Sequence, residues 1–411
     1  MSTAGPLTPA DAVAVVAGAA PAPVRETVAL DEALGRVLAA DLASLCDHPS
    51  VDNSALDGYA CRVSDTATAT ATTPVSLQLV GEAPAGRPFP GEVRAGQAVR
   101  IFTGAALPAG ADGIVPVEAS REPANAGTVE LHAPARQQDV RRKAQDLVSG
   151  QVYLVHGRRL DAAALGLAAA MGHGSVPVAR RPRVALLTTG DEVVAPGRPL
   201  ARGEVYDSNG ASLLALGEAA GAAMLRLERA GDDARALTDA LTASGPVDLL
   251  LTSGGVSMGR YDVVRDLLFE RGTVLFWKLA MKPGGPALFG RLDETPVLGL
   301  PGNPVSSMVV FLVLARAFID TALGRSDAPP YFARREARAA AHLRSAPAKE
   351  SLVRVQVRES PSGAVVTPFE NQSSGVLRSM AEADALAVVP PGRDVPEGGS
   401  VEIIPLAAHL R

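Results

Sequence analysis

At 411 residues and 42.1 kDa the chain is long enough for two to four domains of roughly 100–200 residues each, which excludes a single-core miniprotein. Hydrophobic residues make up 47 % and charged residues 20 %, globular proportions that exclude a disordered tail, and a net charge of −5 argues against binding along a nucleic-acid backbone. Two cysteines, Cys46 and Cys61, are too few for a four-thiolate zinc site or a disulfide framework and fit a reducing, cytoplasmic setting.

In chain order, Thr8-Pro9-Ala10-Asp11 reads as a helix start: an N-cap Thr, Pro at the first helical position and an acid in the first turn. The apolar run Ala12–Ala20 has no Lys or Arg before it, so no secretory leader is expected. Helical texture continues through Thr27–Leu42 and stops at Asp47-His48-Pro49. From Val51 to Val140 the chain turns rich in Gly, Pro and Thr, with short β-like runs at Val75–Val80, Ala98–Phe102, Gly113–Val117 and Thr128–Ala133. Asp161–Met171 is helical again, which suggests that a β unit is inserted between two halves of one domain. From Arg183 onward, the apolar runs Val184–Thr188, Val247–Leu251 and Val297–Leu300 end in Gly-rich turns and alternate with helical stretches at Ala211–Gly221, Ala234–Ser244, Val263–Arg271 and Val305–Ala322. That pattern predicts a parallel sheet covered on both faces, with ligands bound at the carboxyl ends of its strands. The longest strongly apolar run, Met308–Ala315, falls short of the ~18–20 residues a bilayer requires, so a soluble protein with no membrane partner is expected. Beyond it, Ser351–Glu359 alternates Val353, Val355 and Val357 with Arg354, Gln356 and Arg358, a half-buried strand of a small barrel or sandwich.

Several segments could carry chemistry. Thr252-Ser253-Gly254-Gly255-Val256-Ser257 follows a buried strand, and its successive N–H groups could form an anion nest or simply a tight strand-to-helix turn. Only four of the 39 basic residues are lysines: Lys143, Lys278, Lys282 and Lys349. Codon composition accounts for the arginine excess. A retained lysine, however, suggests a need for a compact charge on a flexible stem, and a four-residue separation puts Lys278 and Lys282 on one side of a strand or helix. Their segment holds the only Trp, Trp277, and points modestly to a polyanionic ligand. Asp57, Asp146, Asp191, Glu192, Asp232 and Asp262 stand beside turns; most such residues cap or turn the chain, while several converging on an anion would require a cation such as Mg²⁺. Asp57-Gly58 favours a tight turn, and the residues around it leave a hairpin as only one reading.

Asn53–Ala60, Thr103-Gly104-Ala105, Val140-Arg141-Arg142-Lys143, Thr189-Gly190-Asp191-Glu192, Ser253–Gly259, Phe276–Gly284 and Leu300–Val305 together resemble, in order and spacing, the molybdopterin molybdenumtransferases: the MoeA family and the homologous E domain of gephyrin. The resemblance covers nearly the whole chain. It implies an α/β multidomain subunit: an elongated unit in two segments (1–50 and 140–179), a β-rich insert (51–139), a three-layer parallel-sheet molybdopterin-binding domain (180–327) and a C-terminal β-barrel-like domain (328–411). It also implies a homodimer whose cleft is completed by Asp57 and Thr103 across the interface, and transient contacts with the adenylyltransferase and recipient molybdoenzymes. The implied reaction inserts molybdenum from molybdate into adenylylated molybdopterin and releases AMP, with Mg²⁺. Carried over by motif, Asp57, Thr103, Asp146, Glu192, Asp262, Lys278 and Lys282 are the catalytic positions, and Glu192, Asp232 and Asp262 the metal ligands. Ser253, Gly254, Gly255, Ser257, Pro301, Asn303 and Pro304 contact substrate, with Arg354 and Ser374 as further candidates beside molybdate. One departure stands out: Ala144-Gln145 replaces the Gly-Glu usual before the Asp146 position. Two alternatives share parts of the pattern: a molybdopterin adenylyltransferase, ordinarily a single domain of the Ser-Gly-Gly-Val-Ser type, and a gephyrin-like scaffold, ordinarily carrying an extra domain and a long linker.

Overall fold

The computed structural model describes residues 5–124, 127–227, 239, 245–255, 263–326, 333–361 and 363–406. Helix α1 (Pro9–Gly18) starts as the sequence predicts, with the Thr8 hydroxyl accepting from the Asp11 N–H at 3.2 Å. Its buried face, Ala12, Val13 and Val16, packs into the same core as Phe311 and Phe318. The first helix is thus part of the parallel-sheet unit's core rather than of the elongated unit. The helix expected over Thr27–Leu42 does not form. Arg25–Ala29 is instead a strand, antiparallel to Ser175–Ala179, followed by one 3₁₀ turn at Leu30–Glu32. The β-branched pair Thr27-Val28 favours strand, and Gly35, at φ 73°, turns the chain where a helix would have to continue.

The insert is a six-stranded sheet in which β1 (Gly58–Cys61) lies antiparallel between β2 (Gln97–Ile101) and β3 (Gly113–Pro116). Gly58 therefore opens a central strand rather than making a hairpin turn. A Cβ there would lie 2.1 Å from the Val115 carbonyl oxygen, so glycine is required by the close approach of the neighbouring backbone. Back in the elongated unit, α2 (Ala162–Ala170) is capped by Asp161, which accepts from the Ala164 N–H at 2.7 Å. Ala144 takes a left-handed φ of 59°, the conformation that glycine adopts without penalty. Its N–H donates to the Pro49 carbonyl at 2.9 Å, and Gln145 Oε1 accepts from the Arg142 N–H at 3.1 Å.

The third unit contains β4 (Arg183–Thr188), α3 (Ser208–Ala220), β5 (Ala223–Arg226), β6 (Leu249–Ser253), α4 (Val263–Arg271), β7 (Thr273–Trp277), β8 (Leu288–Leu292), β9 (Thr295–Leu300) and α5 (Pro304–Ala322). The sheet order is β5-β4-β6-β9-β8-β7. β5, β4, β6 and β9 run parallel, but β8 is antiparallel to both β9 and β7, so the sheet is mixed, not wholly parallel. Most of the expected helix Ala234–Ser244 lies outside the described residues. Helix α5 runs well beyond the apolar stretch Met308–Ala315, with a π-helical turn at Phe311–Ala315. By length and composition it could cross a membrane; however, 72 % of its most apolar window is buried inside the protein, the mark of a core helix.

The C-terminal unit closes into a barrel. β10 (Glu350–Arg358) pairs with Val365–Pro368 on one side and with β11 (Ala385–Val389) on the other; β11 pairs with β12 (Ser400–Pro405), and Arg335–Ala339 completes the ring. The alternation read along β10 fails at Arg354, which is fully buried.

Replacing Gly58 by Ala should destabilise the fold by about 1–3 kcal/mol through overpacking, read as a lower denaturant midpoint; an unchanged midpoint would contradict the close approach. Cys61 is buried, which pushes its thiol up to about 12, whereas Cys46 is exposed. A thiol-alkylating reagent at mildly alkaline pH should therefore modify Cys46 alone in the native protein and both cysteines after denaturation, as counted by mass spectrometry.

Candidate functional site

Because β4, β6 and β9 run parallel, their carboxyl ends share one edge, and β7, reversed twice through β8, ends there too. At this edge lies a cavity of about 840 Å³ lined by Thr188, Thr189, Glu192, Asn209, Ser253, Gly254, Gly255, Pro301, Gly302, Asn303 and Pro304, among others. Seven positions implied by the resemblance, Glu192, Ser253, Gly254, Gly255, Pro301, Asn303 and Pro304, therefore meet in one cleft.

The floor of the cleft is built around consecutive left-handed glycines, Gly254 at φ 97° and Gly255 at φ 69°. A Cβ on Gly254 would come within 2.7 Å of Thr189 Oγ1, so glycine is needed there for space as well as conformation. Asn209 braces the floor: its Nδ2 donates to Ser253 Oγ and to the Gly302 carbonyl, both at 2.8 Å. Its Oδ1 is buried with no partner among the described residues. Two residues earlier, buried Asp207 caps α3 through the Gly210 N–H at 2.7 Å, accepts from the Thr188 hydroxyl at 3.0 Å and pairs with Arg226 at 2.7 Å. Sequence reasoning missed Asp207 and Asn209. The available signal was an acid placed as an N-cap just ahead of the apolar helix beginning near Ala211.

Asn303 and Pro304 start α5, and the first turn of this helix is tied to the barrel by the Val305 N–H, which donates to the Ser374 carbonyl at 3.1 Å. Glu192 lines the cleft and is exposed. It fits Mg²⁺, which takes one or two carboxylates alongside substrate oxygens and water. The other two carboxylates implied as ligands, Asp232 and Asp262, lie outside the described residues, as does Ser257. Among the described residues no group of three or more His, Cys, Asp or Glu side chains comes together as a metal site.

The two lysines do not stay together. Lys278 has a left-handed φ of 85°, which breaks the periodicity that would align it with Lys282. Its ammonium sits 4.3 Å from the Trp277 ring centroid, a contact worth about 0.5–1 kcal/mol at exposed sites. Lys282 instead lines a separate cavity of about 510 Å³ with Arg344, His342 and Gln372, between the sheet unit and the barrel. Nearby, Arg354 donates from Nη2 to the carbonyls of Asn371 (3.3 Å) and Ser373 (3.1 Å), while Nε and Nη1 are buried with no partner among the described residues. Burial pushes its pKa down. Each buried polar group left unpaired costs about 1–3 kcal/mol, so this guanidinium is suited to an incoming oxyanion. Gln372, also missed from sequence, fixes the Arg354 backbone by accepting from its N–H at 3.1 Å and donating to its carbonyl at 2.9 Å.

Asp57, Thr103 and Asp146 do not line the cleft. Asp57 Oδ1 accepts from the Thr103 N–H at 2.7 Å and from its hydroxyl at 2.8 Å. These bonds, with a smaller contribution from the Arg100 charge, hold the Asp57 carboxyl below the usual carboxylate range. Asp146 is exposed, and its N–H donates to the His48 carbonyl at 3.0 Å.

Three family models match the chain in sequence: the MoeA N-terminal region (domains I and II) over residues 7–172, a probable molybdopterin-binding domain over 185–321 and the MoeA C-terminal region (domain IV) over 336–406. Molybdopterin molybdenumtransferase 2 of Mycobacterium tuberculosis is 39 % identical over 373 residues, covering 89 % of this chain and 90 % of its own length. The molybdopterin molybdenumtransferase of Haemophilus influenzae is 37 % identical over 310 residues, 75 % of this chain and 76 % of its own. A crystal structure of a molybdopterin biosynthesis MoeA protein from Pyrococcus horikosii superimposes with a TM-score of 0.81 at 30 % identity, covering 98 % of this chain and 99 % of that one. Alike in sequence, in domain order and in fold over nearly the whole chain, this chain belongs to the molybdopterin molybdenumtransferase family.

Proposed function

We propose that this chain inserts molybdenum from molybdate into the dithiolene of adenylylated molybdopterin and releases AMP, in a Mg²⁺-dependent reaction. The observation that carries the reading is the cleft at the carboxyl edge of the sheet, where the Gly254-Gly255 nest, the Asn209-braced Ser253 and the Glu192 carboxylate face one cavity. Nest amides and the Ser253 hydroxyl suit phosphate oxygens; Lys278, at the same edge of the sheet, supplies positive charge. Glu192, together with Asp232 and Asp262, would hold Mg²⁺, which would supply positive charge to offset that on a departing phosphate. Molybdate, a dianion, is suited to Arg354 and Lys282, with Ser374 on the adjoining loop. Asp57 and Thr103, which do not line the cleft of their own chain, complete the partner's site in a homodimer, and Asp146 is a further position implied by the resemblance. The models that match on both sides of the molybdopterin-binding domain favour this activity over that of a single-domain adenylyltransferase.

Purified protein given adenylylated molybdopterin should release AMP only when molybdate and Mg²⁺ are both present, followed by chromatography of the nucleotide; no release at any molybdate concentration refutes the assignment. A second expectation concerns pH. A carboxyl with a lowered folded-state pKa stays ionised until the pH falls through that lowered value. Thr103→Val removes one of the two bonds that lower Asp57 and raises its pKa, so the acidic limb of the rate profile should move to higher pH. An active variant with an unmoved limb would show that Asp57 does not act as an ionised group.

A further inference from the structure

We propose that Arg265 is a second cation for the substrate's diphosphate and that Trp277 positions it together with Lys278, the three forming an anion clasp at the far end of the cleft edge. The inference rests on the proposed activity, which supplies the polyanion. Trp277 ends β7, on the edge where β4, β6 and β9 also end. The Lys278 ammonium lies 4.3 Å from its ring centroid and the Arg265 guanidinium carbon 5.7 Å from the same centroid. Phe269 of α4 meets the indole edge-on, with centroids 6.0 Å apart at 79°. Helix and strand thus fix the ring between them, and both cations are referenced to it.

The clasp adjoins the nest directly. Arg265 sits in the first turn of α4, and its N–H donates to the Gly255 carbonyl at 3.2 Å. Two like charges held beside one indole, at 4.3 and 5.7 Å from its centroid, repel each other, and an anion bound next to them relieves that repulsion. Asp266 offsets part of the charge through Arg265 Nε (2.9 Å) and Nη2 (2.7 Å). Lys278 has no carboxylate partner among the described residues. Its backbone cannot drift: the Lys278 N–H donates to the Ala287 carbonyl at 2.9 Å, and the Lys278 carbonyl accepts from the Leu7 N–H at 3.3 Å. A left-handed residue held at both ends has a fixed Cα–Cβ direction, and from there the ammonium lies against the indole.

Trp277 is the chain's only tryptophan, so its emission reports on the clasp. Titrating the full chain with inorganic pyrophosphate should give a saturable change in tryptophan emission. By calorimetry, Arg265→Gln should weaken pyrophosphate binding at least about tenfold, with Arg265→Lys recovering most of it. Trp277→Leu should weaken it roughly two- to fivefold and Trp277→Phe by less; melting curves confirm that each variant is folded. The clasp is overturned if the wild-type protein shows no saturable pyrophosphate binding, if binding leaves the emission unchanged, or if Arg265→Gln binds as tightly as wild type. Normal AMP release by Arg265→Gln would likewise overturn the clasp and leave the activity standing. Absent AMP release together with pyrophosphate binding that depends on Arg265 would refute the activity and leave the subsite.

Discussion

The main chain from Lys278 to Lys282 is hydrogen-bonded to three parts of the molecule at once. Leu7, ahead of α1, bridges it through the Lys278 carbonyl and the Ala280 N–H; Ala287 and Gly285, on the return toward β8, take the N–H groups of Lys278 and Leu279; and the barrel joins through the Glu350 N–H to the Ala280 carbonyl and through the pairing of Met281-Lys282 with Glu350-Ser351. Main-chain bonds of this kind satisfy the backbone polar groups of the segment and hold its path. The segment therefore sends two cations to different places, Lys278 against Trp277 and Lys282 into the cavity it shares with His342, Arg344 and Gln372. The Ser374 carbonyl on the first turn of α5 is a second fastening between barrel and cleft. Without these ties the cleft would keep its floor and lose the positions of its surrounding charges.

The same ties divide the proposed labour of the site. The floor is made by local backbone geometry, two left-handed glycines after a buried strand, and offers amide groups that carry no net charge. The cations arrive from elements distant in sequence. Arg354 is the extreme case: a buried guanidinium without a carboxylate among the described residues is costly by itself and becomes favourable when an oxyanion meets it. Asp57 is arranged in the opposite way, exposed and kept ionised by two bonds from one threonine.

Much of this could be read from the sequence, and the boundary has a physical basis. Features set by neighbouring residues were legible: the Thr8 cap, helix α4 from Val263 to Arg271, the strands that end in glycine-rich turns, and the grouping of Ser253, Gly254, Pro301 and Asn303 at one edge. Features set by distant contacts were not. Nothing near Ala12 says that α1 covers α5; nothing near Arg354 says that residues 371–373 bury it; and the separation of Lys278 from Lys282 depends on a left-handed φ that bonds to Leu7 and Ala287 enforce. Gly58 is instructive because the sequence marks Asp57-Gly58 as a turn-favouring pair with a hairpin as one reading, whereas what requires the glycine is a carbonyl on β3. Asn209 escaped notice since its role is spatial, joining the ends of two strands that lie far apart along the chain.

The packing of α1 against α5 also bears on the order in which the protein comes into being. Residues 9–18 and 304–322 share one core, yet at roughly 5–20 residues per second of synthesis the second helix follows the first by tens of seconds. Meanwhile the strand pair Arg25–Ala29 and Ser175–Ala179 closes the elongated unit around the insert. The first helix therefore waits beside a finished neighbour with its apolar face uncovered, and the central core is sealed only once α5 emerges. Long-range closure of this sort slows folding, and it makes the apolar face of α1 the stretch with the longest interval in which another chain could cover it instead.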